Sequence, residues 1–503
     1  MNILDRVVGY FSPVAGLRRA SARSGLDAIR AYDGAMRGRR TENWRANNAS
    51  ANVTTKRALP TLRARSRDCI RNTWWGASTK RVVVSHAVGA GIMPKPDTGD
   101  KSIDKEVKAA WRRWAKSCDR EGQLDFDGLI ALATGCIVES GEVLARMVPV
   151  GQSSPDVVPL ELQLLEPDHL DESRDQMMRS DRIVDQGIEY DAAGKRTGYW
   201  LLPTHPGARG IAVPRSSVRV PAADMVHAYR KDRIGQGRGV PWVAPVLLKG
   251  RDVADLEDAI VTKSRTEACL SVFVRSNDAA RTLAGQSKTD RGGPNGTSRR
   301  IETLSPGMIN YLEQGEEIQS VVPSSSGQFE SVLMTNWLAL AAGAGITYDQ
   351  MTGDLRRANF SSLRAGKIEF RRMIEQFQWH TIVAMFLQPI WDRWVEVAVD
   401  AGVLPRRKGG YPVEWIMPAN EPIDPMKDMQ ADIMAVRSGR MTWPQFVAAW
   451  GYDPDVQLDE IELWTKEFDR RDVALDIDAR RPAKGGSIQV HDKEEDNVQP
   501  THD

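Results

Sequence analysis

The sequence predicts an α+β protein of several domains, and three observations carry that prediction. An apolar helix from Phe329 to Ile346 and a long helix from Phe360 to about Ala401 bracket a short polar segment, Thr347–Asn359. Short runs of period two cluster between residues 143 and 229, as half-buried strands do. A polar, glycine-rich stretch with a few strand-like runs, 269–328, leaves one long helix and returns into another, which is the order of an inserted domain. At 503 residues the chain is long enough to build several cores.

Taken in order, residues 1–60 form a basic arm in which Arg18, Arg19, Arg23, Arg30, Arg37, Arg39 and Arg40 are spread among small residues. Two readings stand for it, a solvated arm ordered by its neighbours or a contact with a polyanion or acidic partner. A helix is expected over Leu62–Trp75, with Ser85–Met93 and Pro94–Gly99 as loops. Ile103–Ser117 is a clearer helix, its buried stripe made by Ile103, Val107, Trp111 and Trp114, and Phe126–Ile137 is another. Strands follow at Val143–Val148, Leu160–Leu165, Ile188–Tyr190 and Tyr199–Leu202, with a turn at Asp191–Lys195. Asp224–Tyr229 is a strand that leads into the basic, glycine-rich loop Arg230–Gly239.

Pro241 opens a helix that runs to Ala268 along the stripe Val246, Val253, Leu256 and Ile260. Within the insert, Cys269–Val274, Gly307–Leu312, Gly315–Ile318 and Val321–Pro323 are the candidate strands. Phe329, Leu333, Trp337 and Leu340 then recur at helical spacing. The long helix continues with Phe360, Leu363, Phe370, Ile374 and Phe377 and passes into the apolar run Ile382–Leu387. Glu369 with Arg372, and Arg371 with Glu375, are spaced to pair on its wetter side. Pro389 is expected to kink or divide it, since proline lacks an amide donor and crowds the preceding turn. Between the two helices, Gly353 invites a turn and Asp354 is placed to hold local amides. The chain closes with Glu414–Met417, a helix over Met426–Ser438, a second N-capped by Thr442, a third at 458–470 and a polar tail at 471–503.

Composition excludes several classes. The 68 basic and 67 acidic residues leave a formal charge of +1, so the chain is not a nonspecific nucleic-acid coat, and any such role is local or geometric. Cys69, Cys118, Cys136 and Cys269 form no CxxC pair, which argues against a disulfide framework or structural zinc and fits an intracellular assembly environment. No apolar run reaches the length of a membrane span, and the N-terminus lacks the apolar core of a secretory signal. Fifteen tryptophans supply broad rigid surface for packing between elements or subunits.

Catalytic signatures are absent too. There is no HExxH, GxxxxGK[ST] or GxSxG pattern, and Gly235–Gly239 has glycine spacing without the rest of a phosphate loop. Glu166-Pro-Asp-His-Leu170 offers carboxylates and one imidazole without a second histidine at ligand spacing, and reads as a loop at a strand end. His86, His205 and His380 are isolated, and Asp125 and Asp127 read as surface carboxylates. No catalytic residue, cofactor or metal is therefore assigned.

One ordered set of motifs goes further. Leu165-Glu-Pro-Asp-His-Leu170, the approach His227–Pro245, Leu304-Ser-Pro-Gly-Met308, Leu312-Glu-Gln-Gly-Glu-Glu317, Gly345-Ile-Thr-Tyr-Asp-Gln-Met-Thr-Gly-Asp354, Ala358-Asn-Phe-Ser-Ser-Leu-Arg364, Pro425-Met-Lys-Asp-Met-Gln-Ala431 and Arg437-Ser-Gly-Arg-Met-Thr442 occur in succession. In this order they resemble the tailed-bacteriophage portal proteins, and the lambda-like portal family in particular, over most of residues 5–470.

The resemblance implies a noncatalytic ring, by the family's pattern a dodecamer, at the capsid portal vertex of the virion, assembled in the host cytoplasm. Double-stranded DNA is packaged through it, retained and ejected. It implies a wing at 61–241, a first stem helix at 242–268, a clip at 269–328 and a second stem helix at 329–346. A tunnel loop at 347–359, a long wing helix at 360–400 and a crown at 401–470 complete the order. The implied partners are further copies of the chain, the terminase large subunit as packaging motor, the major capsid protein or scaffold, and the head-tail completion protein, with no membrane insertion. Asp349, Asp354, Arg356, Arg357, Asn359 and Arg364 are the candidate DNA-proximal residues. Two other classes compete, a metal-dependent DNA-processing enzyme and a generic virion scaffold without DNA passage.

Overall fold

A computed structural model of the protein describes residues 46–152, 154–177, 182–208, 216–269, 273–276, 316–319, 327–356, 360–422 and 424–473, with scattered positions between 10 and 43. The chain divides into two units, 1–54 and 55–503. In the first, the described positions include short helical stretches, and the Ser21 hydroxyl donates to the Arg18 carbonyl at 3.3 Å. Most of the basic arm lies outside the described residues. So do the strands expected at 307–312 and 321–323 and nearly all of the polar tail.

The second unit begins with two helices where the sequence suggested one. α1 (Leu59–Asn72) stops at Thr73, whose extended backbone and side chain, accepting from the Gly76 amide, start α2 (Trp74–Val88). A Cβ at Gly76 would sit 2.8 Å from the Cys69 carbonyl, so only glycine fits this corner. The expected helix over Leu62–Trp75 is thus divided, and Ser85–Val88, expected as loop, is helical. The β-branched run Val82–Val84 masks α2, because such residues have lower helix propensity, and burial of Val83 overrides that preference.

Pro94–Pro96, also expected as loop, belongs to β1 (Met93–Pro96), which pairs antiparallel with β12 (Val413–Ile416). Two prolines hide this strand from pattern reading, and a two-stranded ribbon tolerates them because each strand has an unpaired edge. α3 (Lys101–Ala115) is capped by Asp100 and buries Val107, Ala110, Trp111 and Trp114. α4 (Phe126–Ser140) is capped by Asp125, which accepts from the Gly128 amide at 2.9 Å.

Two antiparallel sheets follow. β2 (Glu142–Pro149) lies between β3 (Leu160–Leu165) and β9 (Met225–Tyr229). β4 (Gln176–Met177), β5 (Ile183–Asp185), β6 (Ile188–Tyr190), β7 (Arg196–Leu201) and β8 (Val218–Pro221) form a meander. Leu144, Leu170, Ile188, Tyr199, Leu201, Val220 and Met225 make a separate core where this meander meets the three-stranded sheet.

α5 (Leu247–Cys269) leads out to β10 (Phe273–Ser276), which pairs antiparallel with β11 (Glu316–Gln319), and α6 (Gly327–Ala344) returns. Glu257 on α5 binds this hairpin to the body, accepting from the indole of Trp337 on α6 at 2.7 Å and from that of Trp74 on α2 at 3.2 Å. The turn α7 (Tyr348–Thr352) separates α6 from the long helix. That helix begins as α8 (Phe360–Phe377), widens to π geometry over Gln378–Leu387, and ends as α9 (Gln388–Asp400). Helical hydrogen bonding passes Pro389 without division, because Gln388 donates five residues back to Val383 at a π/α junction, where proline's missing donor is absorbed. The pairings expected for Glu369 and Arg372, and for Arg371 and Glu375, do not form, and Arg371 donates to the Glu421 carbonyl instead.

The main core joins these elements through aromatic rings. Trp111 lies 5.0 Å from Phe126, Trp391 and Trp394, measured between ring centroids, and 4.7 Å from Trp114. The indoles of Trp114 and Trp391 donate to the carbonyls of Leu160 and Tyr411, so burial leaves those N–H groups paired. After β12 come α10 (Pro425–Arg437), α11 (Trp443–Ala449) and α12 (Pro454–Arg471). Mixed helix and antiparallel sheet make the chain α+β.

Candidate nucleic-acid interface

Thr347–Asn359 begins as a capped turn of helix. The Thr347 hydroxyl accepts from the Gln350 amide at 3.4 Å while the Gln350 side chain accepts from the Thr347 amide at 3.1 Å, a reciprocal box. α7 ends at Gly353, left-handed at φ 71°. Its inner side is anchored: Met351 is buried, and Ser78 on α2 donates to the Gln350 carbonyl at 3.2 Å. Only beyond Gly353 does the segment turn to solvent, with Leu355 exposed.

Asp354 and Arg356 then close on each other. Arg356 Nε donates to Asp354 Oδ1 and Nη2 to Oδ2, each at 2.9 Å, and the Arg356 amide donates to Oδ1 at 3.1 Å. These bonds from the Arg356 side chain and backbone hold the Asp354 carboxyl well below the usual carboxylate range and raise the guanidinium. The expectation that Asp354 holds a local amide is met at Arg356. Arg364 pairs with Asp428 on α10 at 3.2 Å, and Asp349 sits in the first turn of α7, where a negative charge suits a helix N-terminus. Arg357 and Asn359 lie outside the described residues. The structure therefore brings Asp354 and Arg356 together, places Arg364 on a different contact, and leaves the described part of this surface close to neutral.

A second constellation emerges that pattern reading did not find. Glu142, the first residue of β2, is fully buried, and Arg238 grips it through Nε at 2.9 Å and Nη2 at 2.6 Å from Oε1. Its Oε2 accepts from the Gly239 amide at 2.8 Å and lies 2.9 Å from His227 Nε2. Arg196 reaches His227 Nδ1 at 3.1 Å, so Nδ1 accepts and Nε2 donates, which is the neutral tautomer. Burial opposes charge on Glu142, but Arg238 and the His227 hydrogen bond hold its pKa well below the usual range. Burial first, then Arg196, pushes His227 down to about 4 against the pull of Glu142.

The glycine-rich loop that resembled a phosphate cradle is the frame of this cluster. The Gln236 side chain accepts from the amides of Asp232 and Arg233 and donates to the Arg238 carbonyl. A Cβ at Gly239 would sit 2.1 Å from the Gly141 carbonyl oxygen, so the loop closes against β2 only with glycine there.

The carboxylate candidates resolve in the same way. Asp125 is the cap of α4. Glu166, Asp168 and His205 do converge to within 4.8 Å, and His205 is the member taken as isolated in the sequence. Arg67, however, already pairs with Glu166 and Asp168 at 2.8 and 2.6 Å, so a guanidinium balances the two carboxylates. The arrangement is an ion-pair network with no nucleophile or general base aimed into a cleft.

Residues 37–378 match the sequence family described as phage portal protein, lambda family. The "Probable portal protein" of Halomonas phage phiHAP-1 is 24% identical over 495 residues, covering 95% of this chain and 94% of the relative. "Portal protein B" of Escherichia phage lambda is 20% identical over 486 residues, covering 85% of this chain and 89% of the relative. A chain of the solved structure "Neck of native GTA particle computed with C12 symmetry" aligns over 80% of this chain and 94% of its own length, at 14% identity and a TM-score of 0.42. With the family match spanning well over half its length, the chain belongs to the lambda family of phage portal proteins, structural rather than enzymatic components of the virion that make its portal vertex.

Proposed function

We propose that copies of this chain close into a ring whose axial channel passes double-stranded DNA, with α5 and α6 as its stem and 269–328 projecting as a clip toward the packaging motor and, later, the head-tail completion protein. In this reading the sheet-bearing body meets the surrounding capsid protein or scaffold. Asp354 to Asn359 line the channel.

One observation carries the ring. α6 contains a single charged residue, Glu330, in eighteen, and it is apolar on two sides. One side, through Trp337, Leu340, Ala341 and Ala344, faces the body. The other carries Val332, Leu338, Ala339 and Ala342 at helical spacing, with the small, uncharged Ser331 and Thr335 between them, all exposed in the single chain. No helix among the described residues is long and apolar enough to cross a membrane, so the outer side calls for protein cover. A neighbouring α5–α6 hairpin supplies it, and repeating that contact head to tail closes a ring.

The near-neutral Asp354–Arg356 pair suits a conduit, since tight phosphate or base contacts would oppose sliding. Mass measurement under assembly conditions, with imaging of the particle, tests the reading: a closed multimer with an axial channel is expected, and a persistent monomer would overturn it. Photo-cross-linking from position 355 to packaged DNA tests the channel assignment. A ring that never cross-links to DNA there would leave a scaffold without passage.

A further inference from the structure

The C-terminal helices α10, α11 and α12 bury almost nothing of their own: α10 has no buried residue, α11 only Val447, and α12 only Pro454. They are held to the body by charge. Lys101, Lys105 and Lys108, spaced along one face of α3, meet Asp455, Asp459 and Asp453 at 3.3, 3.3 and 2.8 Å, and Arg364 holds Asp428. Meanwhile two apolar stripes lie open. On α12, Leu458, Ile461 and Trp464 recur at helical spacing, with Trp464 more than half exposed. On α10, Met426, Ile433 and Met434 do the same, with Met426 and Met434 exposed by 75% and 68%.

The charges beside these stripes are opposite. The first half of α12, Pro454–Glu462, contains four acids and no base, and Glu460 and Glu462 flank its stripe on either side, Glu462 in an exposed ion pair with Lys466 one turn on that a docked cation would share. Lys427 lies beside the stripe of α10 and Arg437 closes its end, both exposed, Lys427 in a surface ion pair with Asp424 at 2.9 Å, while the acids Asp428 and Asp432 are half-buried. An apolar strip edged with cations and another edged with anions, on different helices of one chain, form a heterologous pair.

We propose that α10 of one copy docks on the first half of α12 of the next, so that this contact joins the C-terminal helices of successive subunits. The proposal rests on the ring reading and specifies a contact within it. Its occupant is a second copy of this chain: the alternative cover, residues 474–503, is predominantly polar, with acids and bases throughout, and does not match an apolar strip. Exposed apolar surface of this extent on helices without their own core is the usual mark of a protein interface.

The test uses the full chain carrying Met434→Cys and Ile461→Cys together, oxidised mildly after assembly and separated under denaturing, non-reducing conditions. A ladder of covalent multimers is expected, absent from either single variant. In parallel, Lys427→Glu with Arg437→Glu, or Glu460→Lys with Glu462→Lys, should each lower the ladder's yield roughly tenfold or more by setting like charges together, and the combined four-fold variant should restore it. If the unaltered chain forms no multimer, the ring reading itself fails. If it forms rings but the double-cysteine chain cross-links only within one chain, or the charge reversals leave the yield unchanged, the ring stands and this contact is overturned.

Discussion

Two regions of the molecule use the same chemical unit, an arginine gripping a carboxylate through two nitrogens, and put it to opposite use. In the Glu142 cluster the pair is fully buried, and the remaining lone pairs are taken by the Gly239 amide and His227. In the turn after α7, Asp354 and Arg356 form an equally bidentate pair at the surface. Burial decides what each pair does. A buried pair fixes β2, β9 and the loop that precedes α5 in one arrangement, because breaking it leaves an uncompensated charge away from water. A surface pair fixes little, since water solvates both partners, but it neutralises a surface that we propose faces a polyanion.

The contrast breaks most sharply at Glu142. Glu142→Ala strands Arg238 in the interior and should destabilise the subunit by about 3–5 kcal/mol, read as the shift in a denaturant midpoint. An unchanged midpoint would mean that Arg238 finds other partners, with Glu172 at 3.2 Å the nearest alternative. Next in size is the anchor of the turn. Met351→Ala empties a buried site against α2 and should cost about 2–5 kcal/mol, while Leu355→Ala, two residues past Gly353, should cost far less. Equal costs would erase the distinction between a docked first half and an exposed second half. Deleting all of 347–359 therefore removes a structural anchor together with the residues proposed to face DNA, and a deletion confined to 354–359 separates the two.

Acid should sharpen the same comparison. His227 is held neutral, with its pKa lowered to about 4, whereas an unfolded chain takes up that proton near 6.5. Between those values the unfolded state binds more protons, so stability falls as pH drops through the window, by an amount on the order of 1–3 kcal/mol. Glu142, depressed in the folded state, adds a further loss once the unfolded carboxylate begins to protonate. His227→Gln should flatten the slope between pH 6.5 and 4 whatever its effect on absolute stability, and an unaltered slope would assign the acid sensitivity elsewhere.

How much of this was legible depended on how local each cause is. The strand Leu160–Leu165 and the Thr442 cap were readable because a few adjacent residues set them. So was the capping signature of Thr347 and Gln350, a Thr-x-x-Gln preceding an apolar position, although the segment read as a polar interruption. β1 and α2 were hidden because proline and β-branched residues vote against the structure that tertiary contacts impose. The Glu142–Arg238 pair was beyond reach for a different reason. Its members are 96 residues apart, and Arg238 sits in a loop whose glycine spacing was weighed only against a phosphate loop and found incomplete. The proposed ring contacts leave a trace in one chain only as uncovered apolar surface on α6, α10 and α12, which spacing alone reads as ordinary amphipathic helix.

The smallest effect on folding should accompany a large effect on DNA. Asp354→Ala removes a partly exposed carboxylate whose bonds stay within its own turn, so the unfolding midpoint should move less than for the substitutions above, but Arg356 loses the partner that neutralises it. If the turn faces the channel, every subunit then presents an uncompensated cation to the phosphate backbone. Packaged DNA should pass more slowly at low salt and recover as salt is raised, because counterion release makes such contacts steeply salt-dependent. Asp354→Ala combined with Arg356→Ala should restore the original rate, since the charge balance of the surface is restored along with it. A rate that follows the number of substitutions rather than the net charge would show that the geometry of the turn, and not its neutrality, governs passage.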